Sequence, residues 1–156
     1  MPIRRLDHYS IRTSRLEETC RFYCDVIGLA DGDRPQFDFP GAWLYSGERA
    51  VVHVVGIDPN DKSGLVAYLG EKAGEDVPGT GTIDHVAFVA QGVEEMHERL
   101  KARGIAYRDR AIPAMGLHQI FVEDPNGVTI ELNYVLADEE PAAAAFGSAA
   151  AEPANA

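Results

Sequence analysis

The sequence predicts an α+β fold made of two tandem βαβββ modules whose strands form a curved mixed sheet. Leu-Asp-His at residues 6–8 recurs as Ile-Asp-His at residues 83–85, so the two histidines lie 77 positions apart. Each copy is followed about 45 residues later by another side chain that can bind metal, His53 and Glu131, which lie 78 positions apart. Because the two offsets differ by only one residue, they indicate a duplicated unit. The two copies are expected to bury their apolar faces together.

The first module is predicted to begin with a strand and a helix. Ser14 and Glu17 have the spacing of a capping box, which favours a helix that starts there. Cys20 and Cys24 lie on its apolar face, and we interpret them as small core residues rather than a redox or metal-binding pair. Gly28 is expected to end the helix. The predicted strands are 5–11, 42–46 and 50–55, with a loop at 28–41.

The second module is predicted to repeat this order. Its helix spans 92–103 and is closed by Gly104. The sequence Asp-Pro-Asn-Gly at 124–127 predicts a hairpin turn, because proline presets one φ angle and glycine accepts a positive one. The predicted strands of this module are 82–90, 105–110, 117–123 and 128–135.

One domain is expected to contain both modules. The linker between them is polar and interrupted by glycine and proline, with a short helix predicted at 63–72. Near the C-terminus the composition becomes mostly Ala, Glu and Pro, which predicts a tail without a packed core. The predicted boundaries are 1–137 for the domain, 4–56 for module one, 57–80 for the linker, 81–136 for module two and 138–156 for the tail.

Composition and charge favour an enzyme that acts on small molecules. The chain has 156 residues, with 25 acidic against 14 basic side chains and a net charge of −11. Nucleic-acid binding needs Lys and Arg to neutralise phosphates, so this balance argues against a nucleic-acid partner. No apolar run approaches the length of a membrane span, and the N-terminus has no apolar core of a signal peptide, so we expect a cytoplasmic protein without a membrane partner.

Four side chains are the candidate metal ligands: His8, His53, His85 and Glu131. They occupy the first and last strands of each predicted module, and two such modules closing face to face would collect them in a cup. Imidazole nitrogens with one carboxylate suit a divalent ion such as Fe, Ni, Zn, Co or Mn and leave room for substrate. We expect one ion per cup, bound by His8, His85 and Glu131, with His53 as a fourth ligand or beside them.

The chain resembles the vicinal oxygen chelate superfamily, which includes glyoxalase I, methylmalonyl-CoA epimerase, extradiol dioxygenases, and the fosfomycin and bleomycin resistance proteins. The resemblance covers about residues 4–136. It is carried by the motifs at 6–8 (LDH), 22–29 (FYCDVIGL), 83–88 (IDHVAF) and 121–132 (FVEDPNGVTIEL). It implies paired βαβββ modules, a divalent metal, a small substrate with two neighbouring oxygens and a homodimer.

The resemblance leaves three classes of function open. In bacterial glyoxalase I, the position that corresponds to His53 is a glutamate. Extradiol dioxygenases instead combine two metal-binding histidines and a glutamate with a further histidine that acts as acid and base. The resemblance therefore favours ring cleavage with Fe(II), with His53 and Glu131 as catalytic residues. Against this, the dioxygenase pattern has a tyrosine where this chain has Phe121. The alternatives are a glyoxalase-like lyase or epimerase, and a non-catalytic ligand-binding or resistance protein.

Further residues are candidates for the substrate pocket. Trp43 and Phe121 occupy equivalent repeat positions and are predicted walls of the cup. We also consider Tyr45, Met115 on the apolar rim loop at 111–117, and His118, although strand parity places His118 on the opposite face from Phe121. His97 is expected to be either solvated or a residue of the helix face that it shares with Val93, Met96 and Leu100. Candidates for binding a substrate carboxylate are Arg34, Arg49, Arg108 and Arg110.

Overall fold

The computed structural model describes residues 5–81 and 83–137, which form two modules with the same order of elements. The first contains β1 (Tyr9–Thr13), α1 (Leu16–Phe22) continued by a π-helical turn (Tyr23–Ile27), β2 (Ala30–Gly32), β3 (Gly41–Ser46) and β4 (Arg49–Gly56). The connection contains α2 (Ser63–Leu69) and a 3₁₀ turn (Glu71–Gly74). The second contains β5 (Val86–Ala90), α3 (Val93–Ala102), β6 (Tyr107–Ile112), a 3₁₀ turn (Pro113–Met115), β7 (Leu117–Glu123) and β8 (Thr129–Val135).

Each module forms its own mixed four-stranded sheet. The strand orders are β1-β4-β3-β2 and β5-β8-β7-β6, so each first strand lies beside the last strand of its module. β1 pairs with β4, and β5 with β8, in parallel, while the other neighbouring strands are antiparallel. The matching topologies confirm the predicted pair of βαβββ modules.

One face of both sheets shares a hydrophobic core with α1 and α3. The core includes fully buried side chains from both modules, among them Leu44, Val52, Leu100, Ile130 and Tyr134. Side chains alternate between the two faces of a strand, so the strand residues between these core positions lie on the opposite face. That opposite face carries His53 on β4 and Glu131 on β8, while the other two predicted ligands, His8 and His85, come directly before β1 and β5 and not on them as predicted.

The turn at 124–127 also joins the two modules. The Thr13 hydroxyl donates to Oδ1 of Asn126 at 2.6 Å, and Nδ2 of Asn126 donates to the Thr19 hydroxyl at 2.9 Å. The buried Tyr23 hydroxyl donates to Asp124 at 3.0 Å. The predicted turn therefore also fixes how the second module packs on the first.

The start of α1 differs from the prediction. The residue that caps it is Arg15, and no side chain makes a capping hydrogen bond. Ser14 instead donates its hydroxyl to Asp76 in the connection between the modules, so the predicted capping box is wrong. Gly28 does end the helical segment, with a φ of 92° in the left-handed region that glycine tolerates.

Most predicted strands agree with the structure to within two or three residues. β1 begins at Tyr9 and β5 at Val86, so both are shorter at their N-termini than predicted. The predicted loop at 28–41 contains a missed strand, β2, whose three exposed residues have no apolar alternation to reveal it. The short helix predicted at 63–72 is confirmed as α2.

Some predictions fall outside the described residues or are left untested. The predicted tail at 138–156 lies outside them, and the module boundaries remain predictions. In the part of the chain that the structure describes, no helix is both long and apolar enough to cross a bilayer.

Candidate metal centre

The repeated Asp-His pairs have the same geometry in both modules. Asp7 Oδ2 lies 2.8 Å from His8 Nδ1, and Asp84 Oδ2 lies 2.7 Å from His85 Nδ1. The hydrogen bond to His8 holds the pKa of Asp7 below its usual value. A carboxylate beside Nδ1 favours the tautomer that carries its proton there, which leaves the Nε2 lone pair free. Metal-bound histidines usually have such a carboxylate on their other nitrogen.

Glu131 faces His85 with one carboxylate oxygen. Its Oε2 lies 3.1 Å from His85 Nε2. Its Oε1 accepts hydrogen bonds from Gln119 at 3.0 Å and Asn133 at 2.7 Å, and Arg110 donates in turn to Gln119. Metal bonds of about 2.0–2.2 Å at right angles place neighbouring ligand atoms about 3 Å apart. His85 and Glu131 therefore have the spacing of two adjacent ligands, and the amides hold the carboxylate in that orientation.

His53 lies in a stack of three rings on the first module. Its ring centre lies 3.7 Å from that of His8, with an angle of 16° between the ring planes. The ring centre of Trp43 lies 4.1 Å away, with 7° between the planes. Nitrogen lone pairs lie in the ring plane, so two stacked, nearly parallel rings do not direct them to one point. Desolvation, followed by the nearby His8, lowers the pKa of His53 below its usual value.

The described chain thus brings the four candidate ligands together as two pairs, one per module. His8 and His53 form one pair, and His85 and Glu131 form the other. Among the described residues, no three of these four place donor atoms within 4.8 Å of one another. The imidazoles of His8 and His85 are each 35% exposed, so both pairs are open to solvent.

A cavity of about 400 Å³ adjoins the histidine pair of the first module. Its apolar wall consists mainly of aromatic rings, and Arg34 contributes its positive charge. The Arg34 guanidinium lies 4.7 Å from the ring centre of Phe37 and donates to the backbone oxygen of Phe39 at 3.0 Å. The aromatic lining residues are Phe37, Phe39, Trp43 and Tyr68.

The other predicted pocket residues are not among those that line this cavity. Phe121 stands edge-on to His85, with ring centres 6.1 Å apart, and Arg108 covers its face at 4.9 Å. The Tyr45 hydroxyl donates to the backbone oxygen of Asp33. Met115 is 67% exposed in the 3₁₀ turn before β7. Of the predicted walls, Trp43 lines the cavity together with His8 and His53.

His118 does not lie with the predicted pocket residues. It faces the helix side of the second sheet, where its Nε2 lies 2.5 Å from Asp109. His97, expected to be solvated or part of the helix face, is only 12% exposed and contacts the same carboxylate at 2.6 Å. The alternation of side chains along β7 predicted that His118 and Phe121 lie on opposite faces of the sheet. The position of His97 on a helix did not predict how far its side chain is buried.

The residues missed by sequence reasoning fall into two groups. Gln119 and Asn133 orient Glu131, and their alternation with core residues could have placed them on its face. Phe37, Phe39 and Tyr68 come from the loop before β3 and from α2, where no strand period relates them to the histidines. Only the folded chain brings these aromatic rings beside the first module's ligand pair.

A family model of the Glyoxalase/Bleomycin resistance protein/Dioxygenase superfamily matches residues 5–132. The chain belongs to this superfamily. It is 28% identical over 130 residues to Glyoxylase I 4 of Arabidopsis thaliana, covering 81% of this chain and 68% of that protein. It is 31% identical over 134 residues to lactoylglutathione lyase GLX1 of the same plant, covering 83% of this chain and 44% of the relative. Lactoylglutathione lyase of Salmonella typhimurium is 28% identical, with 82% and 90% covered.

Solved structures share the fold at lower identity. Lactoylglutathione lyase from Agrobacterium tumefaciens has a TM-score of 0.59 and 21% identity, covering 85% of this chain and 95% of that one. A fosfomycin resistance protein from Listeria monocytogenes has a TM-score of 0.59 and 18% identity, with 85% and 93% covered. The lyase relatives support a metal-dependent enzyme and leave its reaction class open.

Proposed function

We propose that the chain is a divalent-metal-dependent enzyme that binds a small substrate through two neighbouring oxygen atoms. His8, His85 and Glu131 are the proposed ligands. The observation that carries this proposal is the pair of Asp-His hydrogen bonds, which leave both Nε2 atoms free, together with one Glu131 oxygen at ligand spacing from His85. Two imidazoles and a carboxylate suit Fe, Ni, Zn, Co and Mn, and leave positions for a bidentate substrate.

We further propose that two copies of the chain complete each cup. One copy would supply His8 and His53 and the other His85 and Glu131, so a symmetric dimer would contain two equivalent centres. Two observations support this arrangement. The ligands lie in separate pairs within one chain, and large apolar side chains beside them are exposed to solvent, Leu6 at 79%, Ile83 at 62% and Val89 at 80%.

The reaction favoured is proton transfer of the glyoxalase type. His8, His85 and Glu131 would hold a divalent ion, which would polarise the substrate oxygens and make the adjacent C–H more acidic. His53 lies beside His8, and its lowered pKa keeps the ring neutral near pH 7, as a general base requires. It would take the proton from one carbon and return it to the next. The lactoylglutathione lyase relatives favour this chemistry over the ring cleavage predicted from sequence.

The cavity beside the first ligand pair indicates the class of substrate. Its aromatic rings favour an apolar or aromatic body, and Arg34 at its wall favours an anionic group on the same molecule. The substrate would thus combine two vicinal oxygens at the metal with a carboxylate or similar anion in the cavity.

Extradiol ring cleavage is the second candidate. It is favoured by the parallel stack of His8 and His53, which leaves His53 beside the centre rather than directed at the same ion. In that position the neutral ring could accept a proton from a bound catechol. Phe121 opposes this candidate, since it supplies no hydroxyl group.

Metal reconstitution followed by two assays distinguishes these functions. Protein loaded anaerobically with Fe(II), Ni(II), Zn(II), Co(II) or Mn(II) is tested for hemithioacetal conversion and for cleavage of a catechol panel with oxygen uptake. We expect hemithioacetal conversion, lowered about 10²- to 10⁴-fold by His53→Ala with metal retained. Catechol cleavage alone would support the second candidate, and failure to bind any of these metals would contradict both. Arg21→Ala, exposed on α1, is the control variant.

A further inference from the structure

Three metal-binding side chains converge on the helix side of the second module, on the opposite face of its sheet from Glu131. His97 comes from α3, Asp109 from β6 and His118 from β7. One donor atom of each lies within 4.8 Å of the other two. Nε2 of His97 is 2.6 Å from Asp109 Oδ2, and Nε2 of His118 is 2.5 Å from Asp109 Oδ1.

The two ring nitrogens are not satisfied by these contacts. Both Nε2 atoms are buried from solvent and neither makes a hydrogen bond, so the approach to Asp109 is close but not directional. Buried polar atoms are nearly always paired, and an exception calls for an explanation such as an ion. A cation between the rings and the carboxylate would satisfy all three groups after a small opening of the cluster.

The fold holds these donors on three packed elements. Asp109 pairs with Ile120 and Ala111 with His118, so Asp109 and His118 are diagonal neighbours on one face of the sheet. The ring of Tyr107 stacks on that of His97, with ring centres 5.6 Å apart. A second carboxylate, from Glu94, lies 4.0 Å from Nδ1 of His97, on the ring nitrogen that faces away from Asp109.

We propose that His97, Asp109 and His118 bind a divalent cation of the zinc class, separately from the cup. Two imidazole nitrogens and one carboxylate are a typical zinc ligand set with an open position. Asp109 is 38% exposed, so solvent can complete the coordination shell. Such an ion would tie α3 to β6 and β7. This site does not depend on the proposed function.

Zinc binding to the full chain carrying His85→Ala tests the proposal, because this change removes a cup ligand and leaves the second cluster intact. By equilibrium dialysis and elemental analysis, we expect about one zinc ion per chain to remain. Adding Asp109→Asn should weaken zinc binding by about tenfold or more. Adding Glu98→Gln instead, which removes an exposed charge of α3 that is neither a proposed ligand nor a partner of one, should leave it unchanged.

NMR of the histidine rings provides a readout that does not depend on the cup. Zinc should shift the ring signals of His97 and His118 together, both in the natural chain and in His85→Ala, and should not do so in Asp109→Asn. If Asp109→Asn does not fold, His97→Gln serves the same purpose. The proposal is overturned if zinc leaves both sets of signals unchanged, or if Asp109→Asn and Glu98→Gln bind zinc equally in the His85→Ala background.

Discussion

Glu131 presents a single free carboxylate oxygen to His85, at 3.1 Å from its Nε2 atom. The other oxygen accepts two amide hydrogen bonds, from Gln119 and Asn133. Because the carboxylate is 10% exposed and held on one side, its free oxygen has a fixed direction before any ion binds. Preorganisation of this kind reduces the cost of ordering a ligand when metal arrives.

The first prediction is that Glu131→Gln lowers metal affinity by at least about tenfold. Loss of a group that only hydrogen-bonds to a metal ligand already has an effect of this size. The amide keeps the size of the side chain but removes the charge that favours a cation. Metal content after dialysis measures the effect. Glu123→Gln, at the exposed end of β7, is the matched control and should retain the metal. Equal metal content in the two variants would contradict the assignment of Glu131.

The second prediction concerns the two aspartates beside the proposed histidine ligands. Asp7→Ala and Asp84→Ala should each lower metal affinity by about 10- to 100-fold, because they remove the partner that orients the imidazole. The two losses should be similar, since the two hydrogen bonds have nearly the same length. Asp25→Ala, exposed on the first helical segment, should have no effect. Calorimetric titration with Zn(II) or Ni(II) measures the three affinities.

The third prediction tests whether two chains share each cup. In an Asp109→Asn background, which weakens the second proposed site, His8→Ala and His85→Ala should each abolish metal binding at the cup as pure proteins. After unfolding and refolding together in equal amounts, about a quarter of the natural cup capacity should return, because half the dimers are mixed and each mixed dimer has one complete cup. A cup formed within a single chain predicts no recovery.

The fourth prediction follows from the lowered pKa of His53 in the metal-free protein. As the pH falls, the unfolded chain takes up a proton on this ring at a higher pH than the folded chain does. The contribution to stability is therefore present above the ordinary histidine pKa of about 6.5 and is lost as the pH falls through the folded value. Urea unfolding from pH 8 to pH 5 should show a steeper decline in unfolding free energy for the natural chain than for His53→Gln. NMR titration should place the His53 pKa below that of free histidine.

The fifth prediction concerns the contact between modules. Asn126→Ala should lower the free energy of unfolding by about 1–3 kcal/mol, because it leaves Thr13 and Thr19 without their partner in a partly buried site. Chemical denaturation measures the loss. Asn60→Ala, at an exposed position in the connection, should change the stability by less than about 0.5 kcal/mol. If both variants were equally stable, the turn would not join the modules as described.

The repeat in the sequence was sufficient to predict the two modules and to name two candidate ligands in each. A period of two along a strand places Glu131 and its orienting amides on one face, since the pleat alternates side chains. The glycine that ends the first helical segment was equally predictable, because its left-handed φ is costly for other residues. In contrast, Ser14 has the chemistry of a cap but a tertiary partner, Asp76, competes for its hydroxyl.

The sequence by itself determined the fold, the repeated Asp-His pairs and the identity of the candidate ligands, because these depend on local spacing and strand parity. Only the tertiary structure decided which ligands meet, since His8 stacks on His53 while His85 faces Glu131. It also decided that His97 and His118 share Asp109 beneath α3, because helix-to-sheet packing joins residues with no common period.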